Sequence, residues 1–222
     1  MGKKILYGLA ILLFLQTCKK DEYETVNRNI GKTYFQAKIG SYSIFKVQEI
    51  IYDDFFNRID TFKYQLIEVN DTIFDDNLGR KSMRIERSKR NNDTAKWKFL
   101  NVWYSNADNF MAERVEENKR LVKLSFPLAE DAVWNLNVFN TDNNLSLYYD
   151  FVHQKFPLNS IVYDSTLAVK SETIFNIVKE REYLEIYANH VGLIYRNQVN
   201  IDKNNTIKRG YKYKQTLIKH VP

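Results

Sequence analysis

The feature that most constrains this chain is a repeated alternation of apolar and polar residues with a period of two. Near the end of the chain Tyr211, Tyr213 and Leu217 alternate with Lys212 and Lys214. Successive side chains of a β-strand point to opposite faces, so this pattern is typical of a strand with one buried face. Similar segments occur at 42–52, 62–69, 82–88, 97–104, 120–126, 133–139, 145–151, 161–169 and 193–201. About ten such strands predict an antiparallel all-β domain.

Clusters of turn-forming residues separate the segments, for example Asp75 to Gly79 and Glu116 to Asn118. A meander of this length must cover its apolar face by closing into a barrel, curling into a half-barrel or stacking as a sandwich. A single cysteine excludes the cysteine pair of immunoglobulin sandwiches. We therefore expect a barrel or half-barrel. The alternation slips by one residue at Leu66 and Ile67, which predicts a β-bulge there.

Signals for helices are weak. Residues 107–118 and 172–189 are rich in Glu, Arg and Lys, but neither segment combines an apolar stripe of period 3.6 with a helix cap. One short helix in either segment remains an open alternative. Because no linker, repeat or change of composition interrupts residues 31–222, we interpret them as one β domain.

The first residues of the chain do not resemble part of a fold. Lys3 and Lys4 precede the apolar run 5–15, which is too short to cross a bilayer as a helix and has the length of the central region of a secretory signal. Leu15, Gln16, Thr17 and Cys18 follow.

This tetrapeptide resembles a bacterial lipobox, although Gln16 departs from the usual small or branched residue. The resemblance implies that residues 1–17 are a signal peptide and that Cys18 is lipidated, which predicts anchoring in a bilayer. Lys20, Asp21 and Glu22 are similar to the signal that sends Bacteroidota lipoproteins to the cell surface. Residues 18–30 are charged and lack periodicity, which predicts a flexible tether.

The body of the chain is loosely similar to uncharacterised, flavobacterial-type outer-membrane lipoproteins of Bacteroidota, through residues 187–194, 40–42 and the tyrosine-rich last strand. The resemblance implies a lipid-anchored protein of the outer membrane, exposed on the cell surface, with the periplasmic face as the alternative. It implies no particular activity.

Signatures of catalysis and of nucleotide binding are absent from the sequence: no G-x-G-x-x-G, P-loop, G-x-S-x-G or H-E-x-x-H occurs. His153, His190 and His220 lack the spacing of a local zinc site. We therefore expect no enzyme activity, no metal and no cofactor. The net charge of +6 is scattered along the chain, whereas a nucleic-acid interface concentrates basic residues, so we expect no nucleic-acid partner.

Two further sets of residues are candidate sites. Trp97, Phe99 and Trp103 alternate with other apolar residues, which predicts that they share one face of a strand whose two faces are both covered. The cover is a helix or crossing segment, an apolar ligand in a cavity that these three residues line, or a membrane or partner. The second set resembles the Asp-Ser/Thr-apolar acceptor of Bacteroidota O-glycosylation, and its candidate acceptors are Thr72, Thr94 and Ser165.

Three functional hypotheses follow. The first is a non-enzymatic binding or accessory module of the cell envelope, held to the membrane by its N-terminal lipid, with an envelope protein as the candidate partner. The second is a carrier of lipids or lipoproteins whose curved sheet encloses an apolar cavity. The third is a surface protein that binds or acts on glycans.

Overall fold

The computed structural model describes residues 31–35, 38–204 and 207–222. A 3₁₀ helix, Lys32–Phe35, precedes the strands. The strands are β1 (Tyr42–Asp53), β2 (Arg58–Asp75), β3 (Lys81–Arg90), β4 (Lys98–Ala107), β5 (Met111–Glu116), β6 (Lys119–Ser125), β7 (Val133–Asn135), β8 (Ser146–Leu158), β9 (Ile161–Ser171), β10 (Ile174–Phe175), β11 (Lys179–Ala188), β12 (Gly192–Asn204) and β13 (Ile207–Val221).

All pairings between these strands are antiparallel, and twelve of the strands form one sheet in the order β6-β5-β4-β3-β2-β1-β13-β12-β11-β9-β8-β7. The short strand β10 pairs with β11. The sheet is nearly closed into a barrel, which confirms the prediction of an antiparallel all-β fold of about ten strands.

The two ends of the sheet meet through hydrogen bonds between β6 and the segment around β7. The Val122 amide donates to the carbonyl of Leu136 at 2.9 Å, and the indole of Trp134 donates to the carbonyl of Val122 at 2.9 Å. The Tyr149 hydroxyl donates to the carbonyl of Ser125 at 2.6 Å. These contacts bring together segments that lie at opposite ends of the strand order.

One end of the barrel is plugged by the 3₁₀ helix. Tyr34 is 1% exposed, and its hydroxyl lies 2.6 Å from His153 Nδ1 and 2.7 Å from Ser165 Oγ. The His190 amide, between β11 and β12, donates to the carbonyl of Thr33. The turns after β1, β5 and β12 lie at the opposite end of the strands, which is open.

The two segments in which the sequence allowed a short helix both contain strands instead. Residues 107–118 include β5 and its tight turn, where Glu117 and Asn118 have φ of 48° and 63°. Residues 172–189 include β10 and β11, and β11 pairs with both β9 and β12. The only helical turn in the described residues is the 3₁₀ helix. The sequence pattern did not identify β5 and β11 as strands, because both contain charged side chains that face the interior.

The bulge that the sequence predicts at Leu66 and Ile67 is wrong. Both residues pair in regular register with β1, and the irregularity of β2 lies at Asp71. Leu66 and Glu68 are instead both buried, because the Glu68 carboxylate faces the interior and pairs with arginines there. An inward charge, rather than an extra residue, therefore breaks the apolar alternation.

Buried apolar residues in the described part of the chain form two large clusters and a small one of Met83, Ile85 and Trp103. One large cluster joins the plug to the walls through residues such as Tyr34, Leu147 and Tyr187, and the other contains Phe45 and Leu217. Among the described residues, no helix has the length and apolar character needed to cross a membrane.

Candidate functional site

The barrel interior contains a buried ionic cluster of four side chains, Glu116, Lys123, Glu185 and Arg196, which we call the inner cluster. Lys123 Nζ lies 2.8 Å from Glu185 Oε1 and 3.4 Å from Glu116 Oε1. Arg196 Nη2 lies 2.8 Å from Glu116 Oε1, and its Nε lies 2.7 Å from Glu185 Oε1. The last contact is ionic without hydrogen-bond geometry. Lys123 and Glu185 are 1% and 0% exposed, so these two side chains are shielded from water, whereas Glu116 is 12% exposed.

The positions of these side chains follow from strand register. Glu185 on β11 lies directly opposite Arg196 on β12, so both point to the same face. β5 and β6 supply Glu116 and Lys123, and β5 and β12 occupy the second and eighth positions of the strand order. The inner cluster therefore connects distant parts of the sheet.

Opposite charges keep both carboxyls of the inner cluster ionised. Burial by itself raises the pKa of a carboxyl, but Arg196, Lys123 and Arg114 outweigh it and lower the pKa of Glu116. Lys123 and Arg196 likewise lower the pKa of Glu185. General acids need a raised pKa, so this arrangement does not favour acid catalysis by either carboxyl.

Two buried tyrosines add hydrogen bonds to the inner cluster. Burial raises the pKa of Tyr183 and Tyr187 well above the usual value, so both hydroxyls stay protonated. The Tyr187 hydroxyl donates to Glu185 Oε2 at 2.6 Å, while Lys123 Nζ donates to the Tyr183 oxygen at 2.9 Å.

A second group of buried charges lies beside the first. Glu68 Oε1 accepts a hydrogen bond from Arg87 Nε at 3.1 Å, and Glu68 Oε2 lies 3.3 Å from Arg114 Nη1. The Arg87 guanidinium also lies 3.3 Å from the ring centroid of Trp103, which is cation–π geometry. Together with the inner cluster, these contacts fill the middle of the barrel with charged groups.

A cavity of about 1100 Å³ opens at the end of the barrel opposite to the plug. We call it the mouth cavity. Glu116 and Tyr183, which contact Lys123, also line it, so its wall includes part of the charged interior. Its volume reaches the upper limit of usual small-molecule sites.

Amide and aliphatic hydroxyl side chains are as numerous as charged side chains in the lining, eight of each. The amide and aliphatic hydroxyl groups come from Asn137, Thr141, Asn143, Asn144, Ser146, Ser171, Gln198 and Asn200. Acidic side chains outnumber basic ones by five to three, namely Glu116, Glu117, Asp142, Glu172 and Glu182 against Lys119, Lys179 and Arg181. Amides and hydroxyls both donate and accept hydrogen bonds, so the cavity presents both functions to a ligand.

The three aromatic residues of the predicted apolar lining do not share a face. Trp103 is 6% exposed beside Met83 and Ile85, whereas Phe99 is 66% exposed. A bulge in the pairing of β3 with β4 separates them, because Phe99 pairs with Ser88 and Trp103 with Ile85.

Trp97 precedes β4 and lies 4.3 Å from the guanidinium of Arg90. The expectation of one common face for the three aromatic residues is therefore wrong. The mouth cavity, and a smaller cavity described below, are lined by other residues.

The candidate glycosylation acceptors differ in accessibility. Thr72 and Thr94 are exposed, in β2 and in the loop before β4. Ser165 is half-buried, and its hydroxyl is hydrogen-bonded to Tyr34. Modification of these residues stays a prediction, and the geometry favours Thr72 and Thr94 over Ser165.

Several sequence predictions concern residues outside the described part of the chain. They are the signal peptide 1–17, the tether 18–30, the lipidated Cys18 and the export signal at Lys20, Asp21 and Glu22. Among the described residues, no group of three or more His, Cys, Asp or Glu side chains is arranged to hold a metal ion.

Sequence reasoning missed the inner cluster. It assigned no partner or role to Glu185, whereas the structure buries this residue fully. One available signal was the order of residues 183–187, Tyr-Leu-Glu-Ile-Tyr, in which both faces of a strand are apolar or aromatic. A carboxylate in the middle of such a strand is buried on either face, and buried charges require partners.

Comparisons with known proteins found no similar protein. No family model matches the chain, and neither a curated protein nor a solved structure matches it.

Proposed function

We propose that the protein is a non-enzymatic binding module of the cell envelope, anchored to the outer membrane by lipid on Cys18, and that its ligand is a neutral, hydroxyl-rich molecule such as a glycan that enters the mouth cavity. The single observation that carries the ligand class is the amide- and hydroxyl-rich lining of a cavity of about 1100 Å³.

Hydrogen-bond chemistry supports a glycan over an acyl chain. Buried amides and hydroxyls cost free energy when a ligand leaves them without partners, about 1–3 kcal/mol for each group. Sugar hydroxyls donate and accept, as do the side chains of Gln198 and Asn200. The acidic excess of the lining does not favour a phosphate-bearing ligand. A lipid carrier is the alternative. Five aliphatic side chains also line the mouth cavity, but the sixteen lining residues with amide, aliphatic hydroxyl or charged side chains outnumber them.

The position of the plug suggests the orientation on the membrane. Gly31 and the 3₁₀ helix lie at the plugged end, and twelve residues separate Cys18 from Gly31. Each residue spans at most about 3.6 Å, so this tether limits how far the plugged end can move from the lipid. We propose that the plugged end faces the bilayer and that the mouth faces away from it.

Binding is tested by calorimetric titration of the purified chain with a panel of neutral oligosaccharides. We expect binding that weakens at least tenfold in a Gln198→Ala, Asn200→Ala double variant, because both amides face the cavity. Asn91→Ala, at an exposed amide in the loop after β3, is the matched control and keeps the affinity. Native mass spectrometry of the protein purified from membranes tests the alternative. A retained lipid, together with no oligosaccharide binding in the titration, would contradict the glycan proposal and support the lipid carrier.

The anchor is tested separately. Cells that express the natural chain incorporate a clickable palmitate into the protein, and a Cys18→Ala variant does not. Equal labelling of both would remove the lipid anchor from the proposal and leave the ligand class untouched. Protease treatment of intact cells then distinguishes the cell surface from the periplasmic face, since only a surface-exposed domain is degraded.

A further inference from the structure

The charges inside the barrel do not sum to zero. The inner cluster contains two cations and two carboxylates, so it is neutral. The neighbouring group contains Arg87 and Arg114 but the single carboxylate of Glu68. Among the described residues, these seven interior side chains are each 13% exposed or less, and they carry one net positive charge.

The excess charge resides mainly on Arg114. Arg87 has further partners, because it donates to Asn101 and stacks on Trp103. Arg114 makes a long contact of 3.3 Å to Glu68, its guanidinium lies 5.8 Å from the ring centroid of Phe35, and its Nε is buried without a hydrogen-bond partner among the described residues. A buried cation with so few partners is costly, and a guanidinium has five N–H donors to satisfy.

A cavity of about 50 Å³ adjoins Arg114 at the plugged end of the barrel. Ser43, Asn70 and Ser105 contribute hydroxyl and amide groups to its lining, and Glu68 and His220 also line it. The Ser43 hydroxyl lies 3.0 Å from His220 Nδ1, and the Asn70 amide uses one of its two N–H groups to donate to Ser41 Oγ at 2.8 Å. Burial lowers the pKa of His220, so the imidazole adds no charge near neutral pH. A water molecule needs about 10–15 Å³, so the cavity has room for a small monovalent anion.

We propose that this cavity is a binding site for a small monovalent anion such as chloride, held by the Nε–H of Arg114 and neighbouring hydroxyl or amide donors. A water molecule would accept a hydrogen bond from the Nε–H group but leave the net positive charge. An anion accepts the hydrogen bond and also neutralises this charge. The Glu68 carboxylate does not prevent this, because its oxygens already contact two guanidinium groups. The site lies at the opposite end of the barrel from the mouth cavity and is independent of the ligand proposed there.

Bromide is the direct probe, because it replaces chloride and scatters anomalously. In crystals soaked in sodium bromide we expect an anomalous peak within hydrogen-bond distance of Arg114 Nε. Density of a water at that position without an anomalous peak would overturn the proposal. This measurement uses the natural chain and does not depend on whether a variant folds.

Thermal unfolding provides the second readout. At constant ionic strength, replacing gluconate by chloride raises Tm of the natural chain, by about 3–5 °C when chloride exceeds its Kd tenfold. Arg114→Gln removes the excess charge and the chloride dependence, and a folded Arg114→Gln that keeps the dependence contradicts the site. The matched control is Arg84→Gln, a partly exposed arginine paired with Asp71 and Glu86, which retains the full chloride effect.

Discussion

Two of the ionic clusters in the molecule differ in what they connect. The inner cluster joins β5 and β6 to β11 and β12, across the strand order. A second group, which we call the outer cluster, consists of Asp76, Arg80, Glu113 and Arg120 and joins the turn after β2 to β5 and β6.

The two clusters also differ in their surroundings. In the outer cluster the carboxylates of Asp76 and Glu113 are also buried, at 2% and 3% exposed, but Arg80 is 32% exposed. Asp76 also accepts hydrogen bonds from the backbone amides of Leu78 and Arg80. In the inner cluster Lys123 and Glu185 have almost no contact with water and depend on each other. Similar ion pairs therefore contribute differently, since the loss of a buried partner leaves an uncompensated charge, whereas water and backbone groups replace an exposed one.

The largest effect is expected from Lys123→Met. This change leaves Glu116 and Glu185 with Arg196 as their main cation, and we expect the free energy of unfolding to fall by about 3–5 kcal/mol. Urea unfolding followed by tryptophan fluorescence measures it. Lys119→Met, at an exposed lysine of the same strand that pairs with Asp142, is the matched control and changes stability by less than about 1 kcal/mol. Equal effects of the two substitutions would show that burial does not increase the contribution of Lys123 to stability.

Acid is the next strongest perturbation. Burial raises the pKa of Asp76, but hydrogen bonds from the amides of Arg80 and Leu78, together with the Arg80 side chain, lower it from 3.8 to about 2. The pKa values of Glu116 and Glu185 are also lowered. The unfolded chain therefore takes up protons first, and stability that is present above about pH 5 is lost as pH falls towards 2.

Urea unfolding at a series of pH values tests this sign. We expect a constant free energy of unfolding above about pH 5.5 and a steady fall below it. Asp76→Asn lowers stability at neutral pH and makes the fall between pH 3.8 and about 2 less steep. A natural chain that becomes more stable between pH 5 and 3 would contradict the ionised state of all three carboxyls.

A smaller effect is expected from Arg80→Gln in the outer cluster. Asp76 keeps its backbone donors and Glu113 keeps Arg120 at 2.5 Å, so neither carboxylate is left alone. We expect a loss of about 1 kcal/mol, measured by the same urea titration. If the free energy of unfolding fell as much as it does for Lys123→Met, removal of one cation would destabilise the outer cluster as strongly as the inner cluster.

The smallest effect is expected from Lys81→Gln. Lys81 pairs with Asp75 at 2.8 Å, but both side chains are more than half exposed. Water and salt screen such a pair, so we expect no measurable change in Tm. A clear fall in Tm would require a contact of Lys81 beyond this ion pair.

The strands and turns could be predicted because their causes are local. Tyr211 and Tyr213 alternate with lysines in a strand that the structure contains, and Asp75 to Gly79 form the predicted turn, where Gly79 has φ of 69°. Period-two burial and the conformational freedom of glycine depend on neighbours in the chain.

Two of the errors share a different cause. The expected bulge at Leu66 and Ile67, and the open question of a helix over β11, both arose where a charged residue interrupted an apolar pattern. Sequence reasoning places a charge in water by default, because an isolated buried charge is costly. Glu68 and Glu185 are buried because their partners lie close in space.

The sequence by itself determined that this chain forms an antiparallel β domain, since alternation and turn residues act over a few positions. Only the tertiary structure decided that the sheet nearly closes, that a 3₁₀ helix plugs one end and that Lys123 meets Glu185, 62 positions away in the chain. The physical reason is that a buried charge is stabilised by the opposite charges that lie close to it in the folded state. A local pattern of residues does not specify which distant residues these are.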